Sequence, residues 1–128
     1  MRLLLDTHTL LWWLAGEEAL SDAAREAIAD ADNEVFVSAV SAWEIATKYR
    51  LGRLPAAAVI AADIAGAVAS QGFTELPISL RDGQIAGGLP PVHKDPFDRM
   101  LIAQAVTADM VIVSNEVLFN AYSVARLW

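Results

Sequence analysis

The sequence predicts an α/β fold in which a central parallel sheet is covered by helices on both faces. Short apolar runs rich in Leu, Val, Ile and Phe alternate with helical segments along the 128 residues, which is typical of strand–helix–strand crossover units. Right-handed crossovers place the connecting helices on both faces of such a sheet. The length and the absence of repeats or linkers predict one domain over residues 1–128.

Five apolar runs are predicted to be strands, the last of them at the sheet edge. They read RLLLD from Arg2, EVFVS from Glu34, FTELP from Phe73, VIVS from Val111 and VARLW from Val124. The helices are predicted to begin near Thr7, Ser21, Ser41, Ala56, Ser79 and Pro96. Parallel sheets bind ligands at the carboxyl ends of their strands, where the strand order reverses. A functional site is therefore expected at that edge.

The chain is acidic, with 16 Asp and Glu against 9 Lys and Arg and a net charge of -7. This balance argues against binding of nucleic acid by bulk electrostatic attraction, so a nucleic-acid substrate would need bound cations. The absence of cysteine excludes disulfides, zinc–thiolate sites and thiol nucleophiles. The most apolar segment, 55–72, contains Asp63 and is shorter than the roughly 20 residues that span a bilayer. We expect a cytoplasmic protein with no membrane segment.

Hydrophobic residues make up 55% of the chain, and four of them are tryptophans. This fraction is high for a small domain, and it predicts apolar surface that a partner covers. Trp12 and Trp13 lie on different sides of one predicted helix. We expect at least one of them outside the monomer core, although packing of both in the core fits the sequence equally well.

Two acids near predicted helix starts, Asp6 and Glu44, have ordinary structural explanations. Asp6 follows the first strand and can cap the next helix by accepting a backbone N–H. Ser41 and Glu44 spell a Ser-x-x-Glu capping box. Glu44 also lies four residues before Lys48, the favourable order for a helical ion pair. Each acid taken alone is more often structural than catalytic.

Two later acids, Asp98 and Glu116, follow the same pattern. In DPFD, Asp95 is predicted to cap a helix whose first residue is Pro96 and whose third is Asp98. In SNE, Ser114 is predicted to cap a short helix that contains Glu116. These positions are also explained by helix capping alone.

The four acids taken together indicate a cation site. Helix starts that follow parallel strands lie along one edge of the sheet, so we expect the acids to be neighbours. Two carboxylates about 4 Å apart repel by roughly 4 kcal/mol at an effective dielectric constant near 20. Such a cluster must bind protons, recruit basic side chains or bind a cation. Basic residues are few nearby, and oxygen ligands favour Mg²⁺ or Mn²⁺ over zinc.

Four segments in this order and spacing resemble the PIN-domain nucleases, specifically the VapC-type toxins of bacterial toxin–antitoxin pairs. The segments are LLLDTH, SAWEI, HKDPFDRMLIAQA and VIVSNEVLFNAY, and the similarity extends over 3–128. The resemblance implies a three-layer sandwich with sheet order 3-2-1-4-5 and one or two Mg²⁺ or Mn²⁺ ions. It also implies cleavage of RNA by a metal-activated water, a cognate antitoxin and a homodimer.

The resemblance also implies roles for individual residues. The family's four acids, which serve as catalytic residues and metal ligands, fall on Asp6, Glu44, Asp98 and Glu116. Asp6 and Asp98 are then the central ligands, and Glu44 completes or orients the first site. Glu116 is expected to position a second metal or the attacking water.

Two further residues, Ser114 and Asp95, support these acids in the implied site. Ser114 acts with Glu116, and Asp95 caps the helix. The family usually has Thr-x-Asp where this chain has Ser-Asn-Glu over 114–116. The last carboxylate is one methylene longer, which affects the geometry expected for a second metal.

The remaining charged residues allow more than one explanation. Lys48, Arg50 and Arg53 are candidates for binding the RNA backbone, but a solvated helix face explains them equally well. Arg99 either contacts a phosphate or pairs with an acid. Asp82, in SLRD, is excluded because the third strand lies at the sheet margin in the family. His8 and His93 are too isolated for a histidine metal site, and we expect them to be structural or at the surface.

Other functions stay open at this stage. A phosphotransfer protein would use Asp6 as the nucleophile, but the chain has no Asp-x-Asp after the first strand and no Gly-rich phosphate loop. A catalytically silent PIN-fold module would bind only an antitoxin, and the change at Glu116 is compatible with that role. A DNA flap nuclease is disfavoured because the chain is short for a duplex-binding module.

Overall fold

The structure, a computed structural model, describes residues 1–128 and is built around five short strands. These are β1 (Arg2–Leu5), β2 (Glu34–Ser38), β3 (Thr74–Leu76), β4 (Val111–Val113) and β5 (Ala125–Leu127). They form one sheet in the order β3-β2-β1-β4-β5, and all neighbouring strands are parallel. The predicted parallel sheet and its order are confirmed. The order reverses between β1 and β4, in the centre of the sheet.

Seven α-helices and two short 3-10 helices connect the strands. The α-helices are α1 (Thr7–Ala15), α2 (Asp22–Ala29), α3 (Ala39–Arg50), α4 (Ala58–Ala62), α5 (Ile64–Ser70), α6 (Leu80–Gly88) and α7 (Pro96–Ala108). The 3-10 helices cover Pro55–Ala57 and Val117–Ala121. Helix α1 ends at Gly16, whose φ of 67° is in the left-handed region that glycine adopts without strain.

The leucines of β1 point alternately to two separate cores, one on each face of the sheet. Leu3 and Leu5 pack with residues of α1, α2, α3 and α5, whereas Leu4 packs with α7 and with Phe119. All three leucines are completely buried. Because side chains alternate across a strand, a run of apolar residues is what a strand covered on both faces requires. This arrangement is the predicted three-layer sandwich.

Helix α3 begins two residues earlier than the sequence predicted. Ser38, the last residue of β2, caps the helix by accepting a hydrogen bond from the backbone N–H of Val40 at 3.0 Å. Ser41 is instead buried inside the helix, where its hydroxyl oxygen accepts a hydrogen bond from the Thr7 hydroxyl at 3.0 Å. The predicted capping box of Ser41 and Glu44 is therefore wrong, because the strand leads directly into a serine that can cap.

The alanine-rich segment predicted as one helix from Ala56 is divided into three short helices. The break between α4 and α5 lies at Asp63, whose side chain accepts a hydrogen bond from the backbone N–H of Gly66 at 2.9 Å. The cap starts a new helix because it fixes a non-helical backbone at Asp63 itself. No helix in the fold has both the length and the apolar character that crossing a membrane requires.

The most exposed tryptophan is Trp43 of α3, rather than Trp12 or Trp13. Trp12 packs against Trp128 with ring centroids 5.8 Å apart, and Trp13 packs against Phe73 at 6.2 Å. Trp12 and Trp13 are both half-buried, whereas Trp43 is 63% exposed. The expected exposed aromatic surface therefore lies on α3, where Trp43 also packs edge-on against Phe97 with ring centroids 5.1 Å apart.

The two-sided core predicts different costs for the same substitution at two leucines. Leu4→Ala should lower the free energy of unfolding by about 2–5 kcal/mol, because it leaves a cavity in the central strand. Leu80→Ala, at a residue that is 97% exposed, should change it by less than about 0.5 kcal/mol. Urea unfolding followed by circular dichroism measures both values. Equal effects of the two substitutions would contradict the described core.

Candidate active site

Polar side chains from distant parts of the chain line one cavity at the carboxyl edge of the sheet. Its volume is about 370 Å³, and a single lining residue is hydrophobic. All four acids that the sequence singled out contribute to it. The lining residues are Asp6, Thr7, His8, Trp12, Glu44, Lys48, His93, Asp95, Asp98, Asn115 and Glu116.

Asp6 is fixed at the point where β1 ends and α1 begins. Its Oδ1 accepts a hydrogen bond from the backbone N–H of Thr9 at 2.7 Å, so the predicted helix cap is present. Its Oδ2 accepts a hydrogen bond from the Ser114 hydroxyl. The Asp6 residue is 5% exposed. Two donors therefore hold a carboxylate that borders the cavity.

Ser114 connects the end of β4 to both Asp6 and Glu116. Its completely buried hydroxyl donates to Asp6 and accepts a hydrogen bond from the backbone N–H of Glu116 at 3.0 Å. The prediction that Ser114 caps a helix is wrong, because the 3-10 helix begins at Val117. Glu116 is its cap and accepts a hydrogen bond from the backbone N–H of Leu118 at 3.0 Å. Ser114 thus positions two of the acids.

Glu44 is a buried acid in the middle of α3. Its Oε2 forms the predicted ion pair with Lys48, four residues later. Its Oε1 is buried and has no hydrogen-bond partner. Because a buried carboxylate oxygen without a partner is costly, this atom calls for an unseen water or ion. The expectation that basic side chains are too few nearby is corrected in part, since Lys48 neutralises one acid.

Asp98 lies in the first turn of α7 and lines the cavity, and its pKa is strongly raised. The pKa of Asp98 is raised from 3.8 to about 7, mainly by burial and also by the nearby negative charges of Asp95 and Asp6. A hydrogen bond with His93, whose Nε2 lies 2.8 Å from Asp98 Oδ2, opposes the rise. Asp98 therefore keeps its proton to a higher pH than an exposed aspartate does.

Asp95 occupies the predicted capping position of α7. Its Oδ1 accepts hydrogen bonds from the backbone N–H groups of Phe97 at 2.9 Å and Asp98 at 3.3 Å. Pro96 is the first helical residue, as predicted. Asp95 thus supports the helix and adds negative charge beside Asp98.

Of the four basic residues considered for RNA binding, Lys48 alone lines the acidic cavity. Arg53 lines an adjacent, mostly apolar cleft that shares His8 and Trp12 with the cavity. Arg50 is exposed at the end of α3. Arg99 contacts neither a carboxylate nor the cavity, because its guanidinium donates to five backbone carbonyls.

His93 is the site residue whose contact the sequence did not predict. It is 6% exposed and pairs with Asp98 across the cavity wall. The sequence feature that could have indicated this contact is the position of His93 in HKDPFD, two residues before the helix cap. Asp82, which was excluded, forms a capping box with Ser79 and does not line the cavity.

The side chains as they stand do not form a finished metal site. No three His, Cys, Asp or Glu side chains are arranged so that they hold an ion between them. The acids instead pair with Ser114, Lys48, His93 and backbone N–H groups. Binding of a cation therefore requires the carboxylates of the cavity to come closer together around it.

Comparison with known proteins gives one family and several similar folds. The model of the PIN domain family matches residues 3–124. Among curated proteins, none matches this chain in sequence.

Three crystal structures of complexes contain chains of similar fold. VapBC2 from Rickettsia felis, bound to a DNA fragment from their promoter, has 14% identity and a TM-score of 0.69 over 98% of this chain and 97% of that chain. DNA-bound VapBC from Salmonella typhimurium has 15% identity and a TM-score of 0.63 over 98% and 96%. FitAcB from Neisseria gonorrhoeae has 16% identity and a TM-score of 0.57 over 97% and 95%. At these identities the likeness concerns the fold, and the family match covers nearly the whole chain: the chain belongs to the PIN domain family.

Proposed function

We propose that this protein is a Mg²⁺- or Mn²⁺-dependent endoribonuclease that acts as the toxin of a toxin–antitoxin pair. The observation that carries the proposal is the meeting of Asp6, Glu44, Asp98 and Glu116 in one cavity. The four residues come from segments that are far apart in the chain, so helix capping alone does not explain their meeting. Membership in the PIN domain family supports a nuclease.

The residues of the cavity fit a hard divalent cation. Carboxylate oxygens are the donors that Mg²⁺ and Mn²⁺ prefer, and the buried Glu44 Oε1 has no partner within the protein. A cation would also favour the charged form of Asp98, whose burial now favours the proton. We propose one or two ions in this cavity.

The proposed chemistry is hydrolysis of an RNA phosphodiester bond by water. When bound, the cation lowers the pKa of a water ligand and neutralises charge that develops on the scissile phosphate. Asp6 and Asp98 are the proposed central ligands, and Glu44 completes or orients the first site. Glu116 positions a second ion or the attacking water.

The two supporting residues have separate tasks in this proposal. Ser114 keeps the Asp6 carboxylate in place, and Asp95 fixes the start of the helix that carries Asp98.

The proposed substrate contacts depend on the cation and on a few basic residues. Because the chain carries a net charge of -7, the cation supplies the positive potential that a phosphate needs. Lys48 lies in the cavity. Arg50 and Arg53 follow it in the sequence, and all three are proposed to bind the RNA backbone. Arg99 is left out because its guanidinium is occupied by backbone carbonyls.

An antitoxin partner and a homodimer are part of the proposal. The similar folds occur in complexes named VapBC and FitAcB. An apolar cleft of about 310 Å³ adjoins the cavity and suits a segment of an antitoxin. The exposed Trp43 suits a contact between two copies. A toxin of this kind would act on RNA in the cytoplasm.

A catalytically silent module that only binds an antitoxin is the second candidate. The ion pair of Glu44 with Lys48 and the lack of a finished three-residue metal site favour it. Cleavage of RNA by the wild-type protein separates the two candidates.

Loss of the Asp98 carboxylate should abolish RNA cleavage but not folding. Incubation with total cellular RNA and Mg²⁺, followed by mapping of new ends, measures the activity. Asp98→Asn should lower the rate by a factor on the order of a hundred or more, since even residues that only orient metal ligands contribute up to about that much. Asp82→Asn is the matched control, because Asp82 is the third residue of α6 as Asp98 is of α7. Equal activity of the two variants would argue against the proposed site.

The raised pKa of Asp98 predicts how stability depends on pH in the metal-free protein. Between pH of about 4 and 7 the folded state binds more protons at Asp98 than the unfolded state, so stability should fall as the pH rises. Asp98→Asn lacks this titration, and its stability relative to wild type should therefore increase over the same range. Urea unfolding in EDTA at pH 4.5, 6 and 8 measures the difference. Parallel pH profiles of the two proteins would contradict the raised pKa.

A further inference from the structure

The loop between α6 and α7 buries one residue, His93, and exposes its neighbours. His93 is 6% exposed, whereas Val92 is 54% exposed and Lys94 is also exposed. The imidazole lines the acidic cavity and packs edge-on against Phe119 with ring centroids 5.8 Å apart. The loop therefore delivers one particular side chain to the site.

The contact of His93 with Asp98 is the one hydrogen bond that the protein makes to that carboxylate. Nε2 of the ring lies 2.8 Å from Oδ2. Asp95 and Asp6, whose negative charges act on Asp98, provide no donor to its side chain. His93 alone restricts the rotation of the Asp98 side chain by a directional contact.

The main chain of His93 is held from both sides by residues outside the loop. The Tyr122 hydroxyl accepts a hydrogen bond from the His93 N–H at 2.8 Å and donates to the Pro90 carbonyl at 2.7 Å. Arg99 donates to the His93 carbonyl at 3.0 Å. The same guanidinium also donates to the carbonyls of Ala86, Gly87, Leu89 and Pro90.

This network fixes the main chain of one loop residue through two side chains from outside the loop. Ordering one residue costs roughly 1–2 kcal/mol of backbone entropy, and here a tyrosine and an arginine both act to fix a single histidine. A buried imidazole nitrogen needs a hydrogen-bond partner in any case, but here the partner is the carboxylate of a cavity acid, Asp98. The fixed main chain and the paired ring nitrogen together indicate that the direction of the imidazole matters.

We propose that His93 is a positioning residue that holds the Asp98 carboxylate in the orientation a divalent cation requires. The inference rests on the proposed metal site, and it adds to that site a residue from the loop before α7. Residues that orient ligands in this way commonly change metal affinity about 10- to 100-fold when they are removed. Arg99 and Tyr122 act one step further away, by fixing the main chain of His93.

The test compares two substitutions of His93 with one of the other histidine. His93→Leu removes the nitrogen, and His93→Gln keeps an N–H near the Nε2 position. His8→Leu is the matched control, since His8 lines the same cavity but is exposed. Calorimetric titration with Mn²⁺ should show binding about 10- to 100-fold weaker in His93→Leu. His93→Gln should stay within about threefold of wild type, and His8→Leu should be unchanged.

The remaining outcomes separate this inference from the proposed function. Equal Mn²⁺ affinity in wild type and His93→Leu, or equal loss in His93→Leu and His93→Gln, would overturn the positioning role. If wild type binds no Mn²⁺, the metal-dependent function fails. A double-mutant cycle of His93→Leu and Asp98→Asn, measured by unfolding in EDTA, then tests whether His93 and Asp98 interact. Non-additive effects on the unfolding equilibrium support the contact, and additive effects overturn it.

Discussion

The structure depends on the crowding of carboxylates in a cavity that is only partly open to water. Parallel strands and the helices that follow them bring Asp6 and Asp98 to the same edge of the sheet, with Asp95 beside them. Mutual repulsion and burial both disfavour the charged forms. Without a cation the protein responds by retaining a proton on Asp98, by pairing Glu44 with Lys48 and by donating hydrogen bonds to Asp6. A divalent ion would displace the proton from Asp98 and offset the remaining repulsion among the carboxylates.

The sheet order explains why this crowding cannot be avoided. β1 and β4 are neighbours, so Asp6 after β1 and Ser114 after β4 come together, and the backbone N–H of Asp6 also donates to the Val113 carbonyl at 3.2 Å. A separate core covers each face of β1, and each of its leucines is completely buried. A rigid strand end therefore holds a carboxylate that would repel its neighbours. Stability of the metal-free fold is lowered by the same feature that the proposed function requires.

Several features set by local sequence were predicted, whereas a contact set by the path of a loop was not. The caps at Asp6 and Asp95 and the ion pair of Glu44 with Lys48 depend on residues at most four positions apart, so the sequence indicated them. The start of α3 was misplaced because two serines compete and the end of β2 decides between them. His93 was missed because its place depends on Tyr122, which lies 29 residues away.

The central claim is that the acidic cavity holds a divalent cation between side chains from separate segments. Crystals soaked in Mn²⁺ test it directly, because anomalous scattering at the manganese absorption edge locates the ion. The account predicts a peak in the cavity, with oxygens of Asp6 and Asp98 at coordination distances of about 2.0–2.3 Å. An anomalous peak elsewhere with no peak in the cavity would contradict the account. The absence of any Mn²⁺ peak at a saturating concentration would contradict it as well.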